Sequence, residues 1–212
     1  MARAQGDRER ARALHLWGAD AEAQLAVYVE ILRHWQKTIN LIAPSTLDQI
    51  WMRHVADCAQ LVPLAGAAQV WLDFGSGAGL PGVVAAILRA NNAQAVTHLV
   101  ESDQRKCGFL RHVSRETGVN LVVHNLRIEE FLKNPPDSVD VVSARALAPL
   151  DRLLAFSQQF LLKGACGLFL KGQDVDAELT RTAIDSRFTI EKVPSLTLSE
   201  ARILKIRAKQ GV

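Results

Sequence analysis

Cysteine is scarce in this sequence, and its three cysteines, Cys58, Cys107 and Cys166, stand apart with no CxxC pair. Zinc sites and disulfide frameworks need closely and regularly spaced cysteines. We therefore expect no metal site, no disulfides and a reducing compartment such as the cytoplasm. Long apolar runs are also missing, and residues 1–12 carry acidic and basic side chains in alternation. This pattern predicts neither a signal peptide nor a membrane-spanning helix.

The chain also lacks a strong excess of either charge. Lys and Arg number 25 and Asp and Glu number 22, for a net charge of +3. Arg outnumbers Lys by 17 to 8. Arg binds phosphates and carboxylates in bidentate geometry, which favours a polyanionic partner, although a general compositional bias explains the excess equally well. With 49% hydrophobic residues in 212, the chain can form one well-cored domain with room for a small helical appendage.

Helical periodicity dominates the first third of the chain, and strands alternate with helices afterwards. Residues 1–12 are expected to form a polar, frayed start, followed by a helix over 19–35 and a second helix from Ser45 or Thr46 to about Val62. The expected strands are 70–74, 96–101, 121–124, 139–144, 167–170, 188–193 and 202–207. The helices expected between them are 80–90, 103–117, 149–162 and 174–183.

This alternation predicts a parallel sheet with helices on both faces, closed by an antiparallel pair because the last two strands have a short connection. A dinucleotide-dependent dehydrogenase would need a second βαβαβ half, for which the chain has no room. The pattern is instead typical of a class I S-adenosylmethionine-dependent methyltransferase, with a Rossmann-like, seven-stranded, mostly parallel sheet. We expect residues 1–66 to form a helical extension packed on a core of residues 67–212.

A glycine-rich loop, Gly75-Ser-Gly-Ala-Gly79, directly follows the first expected strand. Glycines allow the chain to turn with positive φ and leave no side chain between the backbone and a ligand. The string from Gly77 to Gly82 also matches the GxGxxG of dinucleotide sites, but in that fingerprint the first glycine follows the strand directly. Gly75 holds that position and gives the register GxGxG, which favours S-adenosylmethionine.

Two further segments fit an adenosine ligand. Glu101 ends the second strand, where an acid can accept both ribose hydroxyls, although it could instead be a helix N-terminal acid beside Asp103. Asp73, at the end of the first strand, is expected to be buried with loop amides as partners. After the third strand, Ile128 could pack on the adenine while an amide near Glu129 meets its edge. A surface turn explains that segment equally well.

Basic residues follow the next two strands. Arg145 could contact the cofactor, an RNA phosphate or the base, or form an ion pair with a carboxylate such as Asp151. Lys171 could meet a phosphate, and Arg111 belongs to a basic helix that either binds RNA or is simply solvated. Asn134-Pro-Pro-Asp137 resembles a motif of amino-group methyltransferases, but it precedes its strand and lacks the aromatic residue. We interpret it as a loop at the opposite edge of the sheet.

Several motifs between about residues 30 and 173 resemble those of the RsmG/GidB family of bacterial small-subunit ribosomal RNA methyltransferases, and they occur in the same order. Among them are Arg53-His-Val-Ala-Asp57, Asp73-Phe-Gly-Ser-Gly-Ala-Gly-Leu-Pro-Gly82, Ser143-Ala-Arg-Ala146 and Leu170-Lys-Gly-Gln173. The resemblance implies methyl transfer from S-adenosylmethionine to N7 of one guanine in 16S ribosomal RNA, either free or in the small subunit. It implies cofactor contacts at Gly75, Leu80, Ile128, Glu129 and Arg145. Gly77 and Glu101 are expected to contact the cofactor as well, because of their positions in the glycine loop and at the end of the second strand. The residues expected to touch RNA are Arg53, His54, Arg111 and Lys171.

No catalytic residue is assigned, because guanine N7 has a free lone pair at neutral pH and needs no general base. The rate would come mainly from positioning the base and the sulfonium in line. We expect a monomer without a membrane partner. Two alternatives stay open: a methyltransferase for a small molecule or protein, and a non-catalytic RNA-binding factor of ribosome assembly.

Overall fold

The fold is known from a computed structural model, which describes residues 2–182 and 184–209, with side chains from residue 5 onward. Position 183, the expected end of the helix 174–183, lies outside the described residues, as do positions 1 and 210–212. Across the described residues, no helix has both the length and the apolar character needed to cross a membrane.

Seven strands form one sheet in the order β3-β2-β1-β4-β5-β7-β6. The first five strands run parallel, and β7 is antiparallel to both β5 and β6. The predicted mixed sheet with an antiparallel end is therefore confirmed. The strands are β1 (Val70–Phe74), β2 (Val96–Val100), β3 (Leu121–His124), β4 (Val141–Arg145), β5 (Cys166–Lys171), β6 (Phe188–Pro194) and β7 (Arg202–Ala208).

From residue 70 onward the four expected helices are present, and the short helix Ile128–Phe131 is additional. The helices are α1 (Ala2–Arg12), α2 (Ala19–Trp35), α3 (Asp57–Ala59), α4 (Val62–Ala65), α5 (Gly82–Leu88), α6 (Gln104–Thr117), α7 (Ile128–Phe131), α8 (Leu150–Leu161) and α9 (Val175–Arg181). The segment Asn134–Asp137 is a loop that leads into the amino end of β4, as interpreted from the sequence.

The first 65 residues differ from expectation in two respects. The prediction of a frayed start is wrong, because this segment forms helix α1. Its Asp7 side chain is buried and accepts hydrogen bonds from the Trp51 amide (2.8 Å) and the Met52 amide (3.4 Å). The second helix is not one α-helix. It is a 3₁₀ segment (Pro44–Gln49) and a π segment (Trp51–Ala56) that continues into α3. The amides at the start of the π segment are thus satisfied by a side chain 44 residues earlier in the chain. Local periodicity cannot predict such a contact.

One face of the sheet shares its core with the N-terminal helices. Leu25, Tyr28 and Leu32 of α2 lie on one side of that helix, are fully buried, and belong to the same apolar cluster as Trp71 of β1 and Phe109 of α6. A second cluster on the opposite face packs α7, α8 and α9 against the sheet. The first 65 residues therefore brace the glycine loop and α6 from one side, while the division into an extension (1–66) and a core (67–212) stays a prediction.

Candidate cofactor and acceptor site

The glycine loop after β1 turns at the carboxyl edge of the sheet. Gly75 and Gly77 have φ of +63° and +53°, in the left-handed region that favours glycine. A Cβ built on Gly75 would overlap the side chain of Leu147, which lies across the loop. The loop is also bonded to α2, because the buried hydroxyl of Tyr28 in that helix donates a hydrogen bond to the Ala78 carbonyl at 2.7 Å.

Asp73 links the loop to the neighbouring strand. Its carboxylate accepts hydrogen bonds from the Ser143 hydroxyl (2.6 Å) and from the Gly82 amide (3.3 Å). Ser143 itself accepts a hydrogen bond from the Trp71 indole (2.8 Å). The expected burial and loop-amide partner are confirmed. Burial raises the pKa of Asp73 to about 6, and the hydrogen bonds oppose that shift.

A cleft of about 330 Å³ opens beside the loop, at the carboxyl ends of β1 and β2. One edge is formed by Gly75 and Gly77, and apolar surface comes from Ile128 and Phe156. The buried carboxylate of Glu101 lines it and accepts hydrogen bonds from the Gly77 amide (2.9 Å) and the Asp103 amide (2.8 Å).

Asp103, not Glu101, caps α6, because the Asp103 carboxylate accepts from the amides of Arg105 (2.8 Å) and Lys106 (3.1 Å). The carboxylate of Glu101 instead joins the glycine loop, through Oε2, to the amide of this N-cap residue, through Oε1, and lines the cleft between them.

Five of the seven expected cofactor residues line the cleft together: Gly75, Gly77, Glu101, Ile128 and Glu129. Leu80 is buried behind the loop, and Arg145 lines the next cavity. The exposed side chain of Glu129 forms an ion pair with Arg152 at 2.8 Å, which leaves its backbone as the part suited to an adenine edge. The cofactor roles of all seven stay predictions.

The sequence reasoning missed Leu147 and Phe156 as cleft residues. Leu147 follows β4, the strand beside β1, so its position after a strand end was a usable signal. Phe156 lies inside α8, where nothing in its helical spacing distinguishes a cleft residue from a core residue.

A second cavity, of about 580 Å³, adjoins the cleft. The segment Ala146–Ala148, just after β4, lines both volumes and separates them. Ala146 has φ of +52°, which is uncommon for a residue with a Cβ. We call this second volume the acceptor cavity.

Arg145 lies in the wall of the acceptor cavity with its guanidinium largely buried. It donates hydrogen bonds to the Arg53 carbonyl (3.1 Å), the Asp57 carboxylate (3.3 Å) and His54 Nδ1 (2.6 Å). The ion pair considered from sequence exists, but its carboxylate is Asp57 rather than Asp151. Arg145 thereby joins β4 to the N-terminal helices.

His54 is buried and uncharged. Burial, followed by the charges of Arg145 and Arg53, lowers the pKa of His54 to about 3. Because a guanidinium can only donate, Nδ1 accepts and the ring proton lies on Nε2, which donates to the Thr46 hydroxyl at 2.7 Å. Both ring nitrogens are therefore used inside the protein.

Lys171 is also engaged internally. Its ammonium donates to the Ala148 carbonyl (2.9 Å) and to Glu178 Oε2 (2.7 Å), and the side chain is only 8% exposed. Among the other expected RNA contacts, Arg53 lines the acceptor cavity and Arg111 is exposed on α6, lining neither volume. These four RNA roles stay predictions.

Solved methyltransferases share this fold at low sequence identity. A putative O-methyltransferase from Klebsiella pneumoniae gives a TM-score of 0.63 at 15% identity and covers 95% of this chain and 94% of its own. The O-methyltransferase TomG from Streptomyces achromogenes, solved in complex with SAM, gives 0.61 at 14% identity and covers 89% of this chain and 90% of its own. Identities this low establish the fold alone. The chain therefore has the Rossmann-like α/β fold of the class I methyltransferases, as predicted.

Sequence comparison narrows this class to one family. Residues 21–205 match the family model described as rRNA small subunit methyltransferase G. The protein of that name from Methylorubrum populi is 44% identical over 205 residues, or 97% of each chain. The one from Methylobacterium radiotolerans is 46% identical and covers 95% of this chain and 96% of its own. The chain belongs to the rRNA small subunit methyltransferase G family, which confirms the resemblance to the RsmG/GidB family.

Proposed function

We propose that the protein transfers the methyl group of S-adenosylmethionine to N7 of one guanine in 16S ribosomal RNA, either free or within the small subunit. The observation that carries the proposal is the pair of adjoining volumes at the carboxyl edge of the sheet, in a chain of the rRNA small subunit methyltransferase G family. Such a substrate implies action in the cytoplasm. A monomer stays the expected form.

The cleft fits the cofactor by its own chemistry. S-adenosylmethionine supplies, when bound, an electrophilic methyl group on a sulfonium. Glu101 offers a buried carboxylate for the ribose hydroxyls, while Ile128 and Phe156 offer apolar surface for the adenine. Gly75 and Gly77 let the backbone border the cleft without side chains. Leu80 supports the loop from behind, and Glu129 contributes its backbone.

The acceptor cavity has a lining suited to a flipped base. Arg53 and Arg145 bring positive charge to it, and the apolar part includes Leu147, Leu153 and Leu170. Since Arg145 lines this cavity and not the cleft, its position favours the acceptor over the cofactor. Arg53 and the exposed Arg111 are suited to RNA phosphates.

Methyl transfer to N7 would proceed without a general base. The N7 lone pair is free at neutral pH, and no proton has to leave before attack. His54 is uncharged with both nitrogens hydrogen-bonded, and Asp57 is paired with Arg145. The residues of the two volumes would act by holding the base and the methyl group in line.

The class of acceptor is tested by incubating the protein and methyl-labelled S-adenosylmethionine with three substrates: 16S ribosomal RNA, small subunits, and ribosomal proteins stripped of RNA. Label in 16S RNA, recovered as N7-methylguanosine, is the expected result. Label only in protein, or only in a small molecule when a cell extract is supplied as a further substrate, would make it a different methyltransferase. Absence of cofactor binding by calorimetry would leave an RNA-binding assembly factor.

A further inference from the structure

One of the two carboxylates that line the acceptor cavity has an oxygen that makes no hydrogen bond with the described residues. Its two carboxylates belong to Asp57 and Glu178. Asp57 uses both oxygens, since Oδ1 accepts from Gln60 (3.1 Å) and Thr197 (2.7 Å) and Oδ2 accepts from Arg145 (3.3 Å). Glu178 uses Oε2 alone, which accepts from Lys171 (2.7 Å) and from the Leu150 amide (3.0 Å). Its Oε1 makes no hydrogen bond with any residue that the structure describes.

We propose that Glu178 is the residue that selects guanine, by accepting hydrogen bonds from guanine N1–H and N2–H through Oε1. This inference rests on the proposed function, because it concerns the base presented for methylation. Guanine carries two neighbouring donors on its Watson–Crick edge, whereas adenine has an acceptor at N1. A carboxylate oxygen attracts the two donors of guanine and repels the N1 acceptor of adenine. Enzymes that act on a flipped base commonly read this edge.

The order of groups along the cavity matches the order of atoms around guanine. Lys171 donates to the carbonyl of Ala148, which borders the cofactor cleft, whereas Glu178 does not line the cleft and accepts from Lys171 and from the amide of Leu150, two residues after Ala148. Going around guanine from N7, O6 comes first and the N1 and N2 donors follow. With N7 toward the cleft, O6 would lie by the ammonium of Lys171 and the donors by Glu178. Lys171, expected from sequence to meet a phosphate, would then bind the base.

The Lys171–Glu178 pair is suited to this role because it is formed before the base arrives. Lys171 is 8% exposed and held by two acceptors, while the Glu178 side chain is 24% exposed. The pair therefore offers a fixed donor beside a fixed acceptor, and the base needs no new arrangement of charges. A base that covers Oε1 without donating to it leaves a desolvated acceptor without a partner, which is costly and makes the discrimination strong.

Glu178→Gln tests the proposal with little change of shape. Lys171 and the Leu150 amide both donate toward Oε2, so the amide oxygen of Gln takes that place and its NH₂ takes the place of Oε1. The variant would then present donors to donors. The matched control is Asp176→Asn on the same helix, since Asp176 is 76% exposed, pairs with Lys192 and lines neither volume.

The substrates are 16S ribosomal RNA with guanine or with inosine at the methylated nucleotide, inosine lacking the N2 amino group. Glu178→Gln is expected to lower kcat/KM on guanine by roughly tenfold to a hundredfold and to lose the preference for guanine over inosine. The unmodified protein and Asp176→Asn should keep the higher kcat/KM on guanine and the preference for guanine over inosine. Cofactor affinity by calorimetry should be unchanged in Glu178→Gln, because Glu178 does not line the cleft.

Full activity and an intact guanine preference in Glu178→Gln would overturn the inference, and so would an equal loss on both RNAs, since that marks a merely structural role. Either result leaves the proposed function standing if the unmodified protein forms N7-methylguanosine. Failure of the unmodified protein to do so on guanine RNA would overturn the proposed function and this inference together.

Discussion

The cofactor cleft and the acceptor cavity lie side by side, yet they are built in different ways. Much of the cleft comes from short segments that follow β1, β2 and β3, including a glycine loop whose backbone forms one edge. The acceptor cavity combines charged side chains from the N-terminal helices, β4, β5 and α9, held by ion pairs between different elements, one of which joins Arg145 to Asp57, 88 residues away. The cleft is thus built mainly from local backbone geometry, whereas the wall of the acceptor cavity depends on paired side chains from different elements.

The largest expected effect separates the two volumes at the glycine loop. Gly75→Val should abolish cofactor binding, with affinity lower by at least about a hundredfold, because a β-branched residue is strained at φ of +63° and its Cβ would overlap Leu147. Calorimetry with S-adenosylmethionine checks this. Gly108→Ala is the control, since a Cβ there meets only Trp35 at an ordinary 3.7 Å. Retained affinity in Gly75→Val would mean that the loop is not the site.

Asp73, buried beneath the glycine loop, should titrate. The pKa of Asp73 is raised from its ordinary 3.8 to about 6, so between these values the folded chain holds a proton that the unfolded chain has released. Its contribution to stability therefore falls as the pH rises from about 4 to about 6, by about 3 kcal/mol, and stays low above that range.

Urea unfolding of the unmodified protein and of Asp73→Asn at pH 4, 5, 6 and 7 measures this effect, because other titrating groups cancel in the difference. The unmodified protein should lose unfolding free energy relative to the variant across this range. A constant difference would show that Asp73 does not titrate there.

A third change tests whether the N-terminal helices support the cleft. Tyr28→Phe removes the donor to the Ala78 carbonyl and should lower the unfolding free energy by about 2 kcal/mol, since the buried carbonyl loses its partner. Cofactor affinity should fall as well, because the loop loses its support. Val27→Ala, at an exposed position of the same helix, should change neither measurably. An unchanged affinity in Tyr28→Phe would confine the role of α2 to stability.

The smallest expected effect lies in the acceptor cavity. Arg145→Lys cannot reproduce three hydrogen bonds from one planar guanidinium, so kcat/KM with RNA should fall roughly tenfold. Cofactor affinity should change by less than about threefold if Arg145 serves the acceptor. A parallel loss of cofactor affinity would instead support the cofactor contact implied by the family motif.

The sequence predicted most where the determinants are local. Strand–helix alternation yields the sheet, and the register of Gly75 with β1 and the position of Glu101 after β2 yield the cleft. The sequence predicted less where a partner is distant: Asp7 pairs with amides 44 residues away, and Arg145 pairs with Asp57 rather than the nearby Asp151. The ion pair between Glu178 and Lys171 was not predicted either, because a Glu in a helix resembles any solvated acid until the turn after β5 brings the two side chains together.

The assignment of one volume to the cofactor and the other to guanine is tested most directly by photocrosslinking. The target guanosine of 16S ribosomal RNA is replaced by 6-thioguanosine, irradiated with the protein, and the attached peptide is identified by mass spectrometry. Crosslinks are expected to Arg145, residues 170–172 or Glu178, which line the acceptor cavity and not the cleft, without competition by excess S-adenosylmethionine. Crosslinks to residues 126–129 in the cleft, or crosslinks that the cofactor displaces, would contradict it.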